Sequence, residues 1–390
     1  MSRLPTEDPP MTIDLKTPPA IAATDWARRV HDLGPQIAGR AAEADDTDAF
    51  VAESLALLKA EGFHTAAVPA ELGGGGASLA ELSATLRAVS TYCGSTALAL
   101  AMHTHAVALP AWRWRRTPEA VEGLLKRVVT ERLTLVSSGG SDWLDGSCKA
   151  TPVEGGFRVS GRKVFASGCM SGDLLVTMAV LDAPEGPTVM HMAIPMKAEG
   201  LKILDTWKTL GMRGTGSQDL ELNEVFVPDA AVTVKRPAGK WHPLMHMVSM
   251  IAFPLIMSVY VGLAEAARDK ALALAGARKP SADTELLIGE METELSAARL
   301  ALGDMLTCAA TQEPGPETTS RIMTGRTLVA RAAIATVEKA MAAAGGAGFY
   351  RRTGLERIWR DVQAARYHPL QPGPQARLAA RVALGLPVDG

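Results

Sequence analysis

Cysteine is scarce in this chain, and its few cysteines are scattered. Only four occur in 390 residues, at Cys93, Cys148, Cys169 and Cys308. None of them forms the C-x-x-C spacing of a metal or redox motif, which argues against a zinc site and against a disulfide framework. This usage fits a reducing compartment, and we predict a cytoplasmic protein.

An excess of charge of one sign is also lacking. The chain has 40 Lys and Arg against 42 Asp and Glu, so no basic field is available for nucleic acid or for an anionic membrane. We find no uninterrupted apolar run that would span a bilayer. Residues 1–20 are rich in proline and acid and lack the apolar centre of a signal peptide, so a loose N-terminal tail is predicted there.

The common nucleotide-binding signatures are missing as well. No G-x-G-x-x-G follows a predicted strand, and no Walker-type loop is present. The run Gly73–Gly76 does not have the required spacing and is interpreted as a turn between helices. A dinucleotide bound by this chain would therefore not be held by a Rossmann motif.

What the sequence does contain is three stretches of different periodicity. Residues 21–130 carry apolar residues at helical spacing, whereas residues 131–235 contain seven short alternating or β-branched runs separated by turn residues. Helical periodicity returns in residues 236–390. The order predicts an α+β protein, with an N-terminal helical domain, a middle antiparallel β domain of barrel or sandwich type and a C-terminal helical domain.

The stretch GGFRVSGRKVFASG, residues 155–168, lies in the middle of the predicted β domain. Its alternation predicts a β-hairpin with a turn at Ser160-Gly161. At the end of the second strand, Phe165 offers a flat ring, and Ser167 offers a hydroxyl and a backbone N–H on the same side. A planar, electron-accepting ring system such as a flavin needs this combination of a surface to lie on and a donor beside it.

Five motifs in order resemble the acyl-CoA dehydrogenase superfamily, over about residues 55–385. They are AVPAELGGGGASLAEL, GGSDWLDGSCKAT, GRKVFASG, LGMRGTGSQDLELNEVFVP and AAGGAGFYRRTGLERIWRD. The resemblance implies a middle antiparallel β domain between an N-terminal helical domain and a C-terminal four-helix bundle. It also implies FAD held in a cleft, and a homotetramer built as a dimer of dimers.

The resemblance assigns residues to the cofactor site. Phe165 takes the place of the family's tryptophan on the isoalloxazine ring, and Ser167 that of its threonine at flavin N5. Ser141 is expected near the flavin or the substrate, and Arg278 is what remains of an Arg-x-x-Phe-Gly flavin contact. A glycine loop is expected to contact the FAD of a neighbouring subunit through Gly345, Gly346 and Gly348.

The sequence departs from the family where the catalytic base is expected. The family's glutamate follows its Arg-Asp pair by about nine residues, but that place holds Tyr367, His368 and Pro369 here, and the alternative glutamate position falls near Ala252. His368 is therefore the candidate catalytic residue, since an imidazole with an ordinary pKa of ~6.5 is a competent acid or base near neutrality. A histidine at this place resembles the flavin monooxygenase branch of the superfamily.

Other charged and metal-ligating candidates are interpreted as structural. The pairs His103–His105 and His242–His246 lack a third ligand such as the glutamate of H-E-x-x-H, so no metal is predicted. Arg360 and Asp361 are expected to form a structural ion pair near the flavin.

Three functions follow as hypotheses. The first is FAD-dependent oxidation of an acyl-CoA or acyl-carrier thioester to its 2,3-enoyl form, with hydride transfer to flavin N5 and an electron-accepting flavoprotein as partner. The alternative is a two-component monooxygenase that takes reduced FMN or FAD from a flavin reductase and uses oxygen. The third is a non-catalytic flavin-binding scaffold. The missing glutamate favours the second hypothesis, and the abundance of acyl-CoA enzymes among similar chains favours the first.

Overall fold

The computed structural model describes residues 25–138, 140, 143–278 and 280–389, and helices come first within them. The N-terminal helices are α1 (Trp26–Thr47), α2 (Ala52–Ala60), α3 (Leu79–Tyr92), α4 (Gly94–Trp114) and α5 (Glu122–Thr130). The strands are β1 (Leu135–Ser137), β2 (Lys149–Val153), β3 (Gly156–Lys163), β4 (Leu174–Ala183), β5 (Gly186–Pro195), β6 (Leu201–Ile203), β7 (Leu220–Pro228) and β8 (Val232–Pro237). The C-terminal helices are α6 (Pro243–Gly276), α7 (Ala282–Thr311), α8 (Pro316–Ala344), α9 (Leu355–Val362) and α10 (Pro372–Ala383).

Local signals in the sequence set several of these boundaries. Ser78 caps α3, because its hydroxyl accepts the N–H of Glu81 while the Glu81 carboxylate accepts the N–H of Ser78. The turn predicted at Gly73–Gly76 is confirmed and leads into this cap. At the other end of the chain, α8 stops at Gly345, whose φ of +58° favours glycine.

The strands form one sheet in the order β6-β7-β3-β2-β4-β5-β8, with β1 beside β4. The predicted antiparallel arrangement is confirmed for most neighbours, but β1 and β2 each run parallel to β4. The sequence prediction missed β8 (VTVKRP), since its lysine and arginine interrupt the apolar signal.

The turn predicted at Ser160-Gly161 is wrong. Val153 of β2 pairs with Gly156 of β3, so the chain turns at residues 154–155 and β3 continues through Ser160. Gly161 instead marks an irregularity in the pairing of β3 with β7, where its φ of +145° suits glycine. Phe165 and Ser167 therefore follow the end of β3 and do not lie within a second strand of a hairpin.

Two hydrophobic cores lie within the described residues. One belongs to the sheet, and the other joins the N-terminal and C-terminal helices around α6. By length and composition, α6 is apolar enough to cross a membrane, which the sequence prediction missed. However, 89% of its apolar window is buried inside the protein. The predicted order of helices, sheet and helices is confirmed. The domain limits at residues 130 and 235 remain predictions, and the tail at residues 1–20 lies outside the described residues.

Candidate functional site

Phe165 lies just beyond the end of β3 with its ring largely in the open. Its φ is +56° and its side chain is 53% exposed. Aromatic residues rarely adopt this left-handed conformation, and such strain is concentrated at functional sites. The ring of Trp207 packs edge-on against it, with centroids 5.9 Å apart and planes at 84°. This arrangement leaves much of the Phe165 ring available to a planar ligand.

Ser167 ends a chain of three hydroxyl groups. The hydroxyl of Thr215 donates to the carbonyl of Met212 at 2.9 Å, and the next two links, Thr215 to Ser217 and Ser217 to Ser167, are each 2.7 Å long. Because a hydroxyl has one proton, donation by Thr215 to Met212 sets the order in which Ser217 donates to Thr215 and Ser167 donates to Ser217. The Ser167 oxygen therefore has only lone pairs left for a ligand. Its N–H is bonded to the carbonyl of Phe165, so the donors expected from the sequence are both used within the protein.

The chain of hydroxyls continues through Met212 to α9. The N–H of Met212 donates to the carboxylate of Asp361 at 2.5 Å. Asp361 is buried, and burial raises its pKa to about 6. The ion pair expected between Arg360 and Asp361 is wrong, because Arg360 pairs with Asp45 at 2.5 Å and with Glu356 at 2.8 Å. Asp361 thus holds the backbone at Met212, where the chain of hydroxyls from Ser167 ends.

His368 lies in the loop after α9 and contacts α6. The hydroxyl oxygen of Tyr260 is 2.5 Å from Nε2 of His368, and the two rings meet edge to face. Tyr260 is fully buried, and burial raises its pKa above the ordinary value, so the phenol keeps its proton. A buried O–H requires an acceptor, and Nε2 is its partner. Tyr260 therefore donates, and the proton of the neutral imidazole lies on Nδ1.

Burial and positive charge keep the His368 ring neutral. Burial lowers its pKa to about 3, and the charges of Arg326 and His105 act in the same direction. Arg326 is buried in α8, and its Nη2 donates to the carbonyls of Ala365, Arg366 and His368 at 2.8, 3.3 and 2.5 Å. The guanidinium therefore fixes the loop in place and also disfavours a cationic imidazole. At pH 7, His368 is a hydrogen-bonding group with little basicity.

Arg278 and the glycine loop meet at the C-terminal end of α8. Nη2 of Arg278 donates at 3.0 Å to the last carbonyl of α8, directly before Gly345. Gly345 and Gly346 have open space where a Cβ would stand, whereas Gly348 is buried. Phe349, which follows, is 85% exposed. The structure thus brings Arg278 and the glycine loop, both predicted flavin contacts, to one exposed corner.

The remaining predicted site residues are placed as follows. Ser141 lies outside the described residues. Its neighbour Gly140 packs near Pro369, since a Cβ on Gly140 would stand 3.8 Å from the proline ring, so the loop after β1 passes beside the His368 loop. Ala252, at the alternative glutamate position, is buried in α6.

Three supporting side chains were not predicted from the sequence, namely Tyr260, Arg326 and Ser217. Tyr260 and Arg326 stand out in retrospect because a hydroxyl or a charge within an apolar or alanine-rich helical stretch requires a buried partner. Ser217 lies in an irregular loop, where periodicity carries no signal.

The chemistry of these groups fits a flavin. An open aromatic ring suits the isoalloxazine, the lone pairs of Ser167 suit a ring N–H, and the guanidinium of Arg278 suits a phosphate. The fold and the site together define a flavin-dependent oxidoreductase, with FAD or FMN as its cofactor.

Comparison with known protein families agrees with this class. The model of the acyl-CoA dehydrogenase N-terminal domain matches residues 28–130, and the model of the acyl-CoA dehydrogenase C-terminal domain matches residues 255–371. The chain belongs to the acyl-CoA dehydrogenase family.

Individual relatives divide between two kinds of chemistry. YdbM of Bacillus subtilis, whose name as an acyl-CoA dehydrogenase is provisional, is 27% identical over 88% of this chain and 92% of its own. The L-evernosamine nitrososynthase of a Micromonospora species is 28% identical over 95% of this chain and 92% of its own. The structure of KijD3 in complex with FMN and dTDP-3-amino-2,3,6-trideoxy-4-keto-3-methyl-D-glucose superposes with a TM-score of 0.86, at 28% identity over 96% of this chain and 97% of that chain.

Proposed function

We propose that this protein is the oxygenase component of a two-component flavin-dependent monooxygenase. It takes reduced FMN or FAD from a separate flavin reductase and transfers oxygen from O2 to a small molecule. The observation that carries the proposal is the contact of His368 with the buried Tyr260, at the place where the dehydrogenases of the family have a glutamate. The similarity to a nitrososynthase and to KijD3 supports the nitrogen of an amine, such as an amino sugar carried on a nucleotide, as the first substrate class to test.

The dehydrogenase hypothesis has weaker physical support. Removal of a thioester α-proton needs a base whose conjugate acid has a pKa near the working pH. The pKa of His368 is about 3, and the charged groups that act on its ring are Arg326 and His105, with no carboxylate among them. A non-catalytic scaffold is disfavoured, because the relatives are enzymes and the site carries an ordered network of hydrogen bonds.

In the proposed reaction, a bound reduced flavin supplies the electrons that activate O2. Ser167 accepts a hydrogen bond from a ring N–H, since its own proton goes to Ser217. Nδ1–H of His368 has no partner among the residues that the structure describes, and it suits an oxygen atom that gains negative charge. Tyr260 and Arg326 position His368 and take no part in proton transfer.

The proposal also covers the glycine loop, the oligomeric state and the cellular location. Arg278 and the adjacent loop of Gly345, Gly346 and Gly348 contact the flavin, and the exposed Phe349 faces a neighbouring subunit of a cytoplasmic homotetramer.

Two assays on the same preparation test the proposal. In the first, oxidised flavin-loaded protein is mixed anaerobically with acyl-CoA thioesters of several chain lengths, and we expect the flavin absorbance to persist. In the second, a flavin reductase supplies reduced FMN in air, and amines, thioethers and phenols are added in turn. We expect one class to lower hydrogen peroxide release as its oxygenated product forms.

A matched pair of variants completes the test. His368→Ala should abolish product formation while O2 is still reduced to hydrogen peroxide, whereas His31→Ala, at an exposed histidine of α1, should behave as wild type. Bleaching of the flavin by any acyl-CoA at a rate that supports turnover would overturn the proposal in favour of dehydrogenation.

A further inference from the structure

A cavity lies beside α4, and Ser167 of the candidate flavin site forms part of its wall. It has a volume of about 140 Å³ and is enclosed by α2, α4 and the loops that precede β1 and β4. His105 lies near His368 and lowers its pKa, whereas His103, two positions earlier, lines the cavity. Residues two apart on a helix point to different sides, so α4 separates this cavity from the His368 region.

His64 lines this cavity without a hydrogen-bond partner. It is 6% exposed, and neither Nδ1 nor Nε2 is bonded to any of the residues that the structure describes. The carbonyl of Lys59 approaches the ring without hydrogen-bonding geometry and already accepts from Arg132. By contrast, His103 is fully satisfied, with Nε2 bonded to the carbonyl of His64 and Nδ1 accepting the N–H of Leu135. An unpaired buried polar group costs about 1–3 kcal/mol, which a ligand would recover.

The walls of the cavity differ in character. On the polar side, Nζ of Lys59 donates to the hydroxyl of Thr134 at 2.9 Å and lies 3.5 Å from the carboxylate of Asp173. The side chains of Ser167 and Ser171 face the same space. The apolar side is formed by Ala52, Leu55, Ala56, Ala99 and Leu100.

We propose that this cavity binds a short-chain carboxylate. The carboxylate group meets the ring of His64 and the ammonium of Lys59, and the alkyl part lies against the apolar wall. The size limits the ligand to a small molecule, because a protein cavity of about 150 Å³ holds a ligand the size of benzene and this cavity has about 140 Å³. The apolar wall favours this ligand over an inorganic anion.

Binding is coupled to proton uptake by His64. Both of its ring nitrogens are free, so the imidazolium form offers an N–H to each side, and an adjacent anion favours that form. The titratable and charged groups around the ring are Lys59 on α2, His103 on α4, Arg132 after α5 and Asp173 before β4. Without ligand, the pKa of His64 is lowered to about 4. Burial is the largest cause, followed by His103, Lys59 and Arg132. Burial also lowers the pKa of His103 to about 4, and its two bonds to the backbone leave it no ligand contact.

Ligand-observed NMR on the full-length protein tests this site. Acetate, propionate and butyrate are titrated at pH 5 and pH 6, with chloride and inorganic phosphate as comparison anions. We expect saturable binding of one or more carboxylates, with a Kd that rises about tenfold from pH 5 to pH 6, because one proton must be taken up per ligand above the pKa of free His64.

Variants separate the site from non-specific binding. His64→Gln keeps a polar side chain but cannot be protonated, so binding should weaken and lose its pH dependence. Ala99→Leu, at a buried alanine of the cavity wall, fills the cavity and should abolish binding, whereas His31→Ala should change nothing. The absence of saturable carboxylate binding, equal binding by Ala99→Leu, or equally tight binding of chloride or phosphate would each overturn the proposal. The flavin absorbance of each variant checks that the fold is retained.

Discussion

The hydroxyl of Tyr260, buried in the long helix α6, lies 2.5 Å from Nε2 of His368 in the loop after α9. This bond joins the centre of the helical core to the candidate catalytic residue. It sets the tautomer of the imidazole, since a donated phenol proton at Nε2 leaves the ring proton on Nδ1. The proposed oxygenase chemistry depends on that orientation, so the first prediction concerns Tyr260.

Tyr260→Phe removes the donor and leaves Nε2 unpaired, at a cost of about 1–3 kcal/mol. We expect the amount of product formed per O2 consumed to fall about tenfold, since 1.36 kcal/mol corresponds to a factor of ten in rate. An oxygen electrode together with product quantification measures this ratio. Tyr350→Phe, at a tyrosine that is 55% exposed, is the matched control and should keep the wild-type ratio. Unchanged coupling in Tyr260→Phe would contradict the assigned role.

Arg326→Met should destabilise the protein by about 3 kcal/mol, because three backbone carbonyls of the His368 loop lose their donor in a buried setting. The loss of the positive charge should also raise the pKa of His368. Urea-induced unfolding measures the first effect. Arg331→Met replaces an exposed arginine of the same helix and should stay within about 0.5 kcal/mol of wild type. A similar small change in both variants would show that Arg326 does not hold the loop.

Ser167→Ala tests the direction of the hydroxyl chain. Since Ser167 offers only lone pairs, it suits the N–H of a reduced flavin and gives no donor to the oxidised form. We expect the affinity for reduced FMN to fall about fivefold, as for the loss of one hydrogen bond of about 1 kcal/mol, with little change for oxidised FMN. Anaerobic titrations of both forms supply the two constants, and Ser296→Ala, at an exposed serine of α7, serves as control. A larger loss for the oxidised form would reverse the assigned direction.

Asp361 makes stability depend on pH. Burial raises its pKa from 3.8 to about 6, so the folded state holds a proton that the unfolded state releases more readily. The stabilising contribution is present below pH 3.8 and is lost as pH rises through about 6, because only the folded state keeps the proton in that range. Relative to Asp361→Asn, the free energy of unfolding of wild type should fall by about 2 kcal/mol between pH 4 and pH 8. Urea titrations at several pH values measure this difference, and a constant difference would refute the assignment.

Much of the fold could be predicted from the sequence because its signals are local. The switch from period 3.6 to period 2 near residue 131 marks the sheet, and the S-x-x-E pattern at Ser78 marks the start of a helix. Local signals failed where the pairing of strands decides the local structure. Gly161 resembles a turn in the sequence, but the ladder with β7 carries the strand through it as an irregularity. Small and polar residues interrupt the apolar run of α6, so a search for uninterrupted apolar runs does not find its membrane-length apolar window.

The candidate site was predictable only in part, and for a similar reason. Phe165, Arg278 and His368 stand in motifs, so a comparison of patterns finds them. Tyr260 lies 108 residues from His368 in the chain, and no spacing rule links the two. The same holds for Ser217, whose bond to Ser167 reverses the expected direction of hydrogen bonding. These partners follow from the packing of distant segments, which no local pattern in the sequence encodes.

The central claim is that oxygen from O2 enters the substrate. The most direct measurement supplies the purified protein with reductase-generated reduced FMN, ¹⁸O2 and the amine panel, followed by mass spectrometry of the products. Wild type should give a product that gains ¹⁸O, and His368→Ala should not. A product oxidised without ¹⁸O, or an enoyl thioester formed from an acyl-CoA under the same conditions, would contradict it.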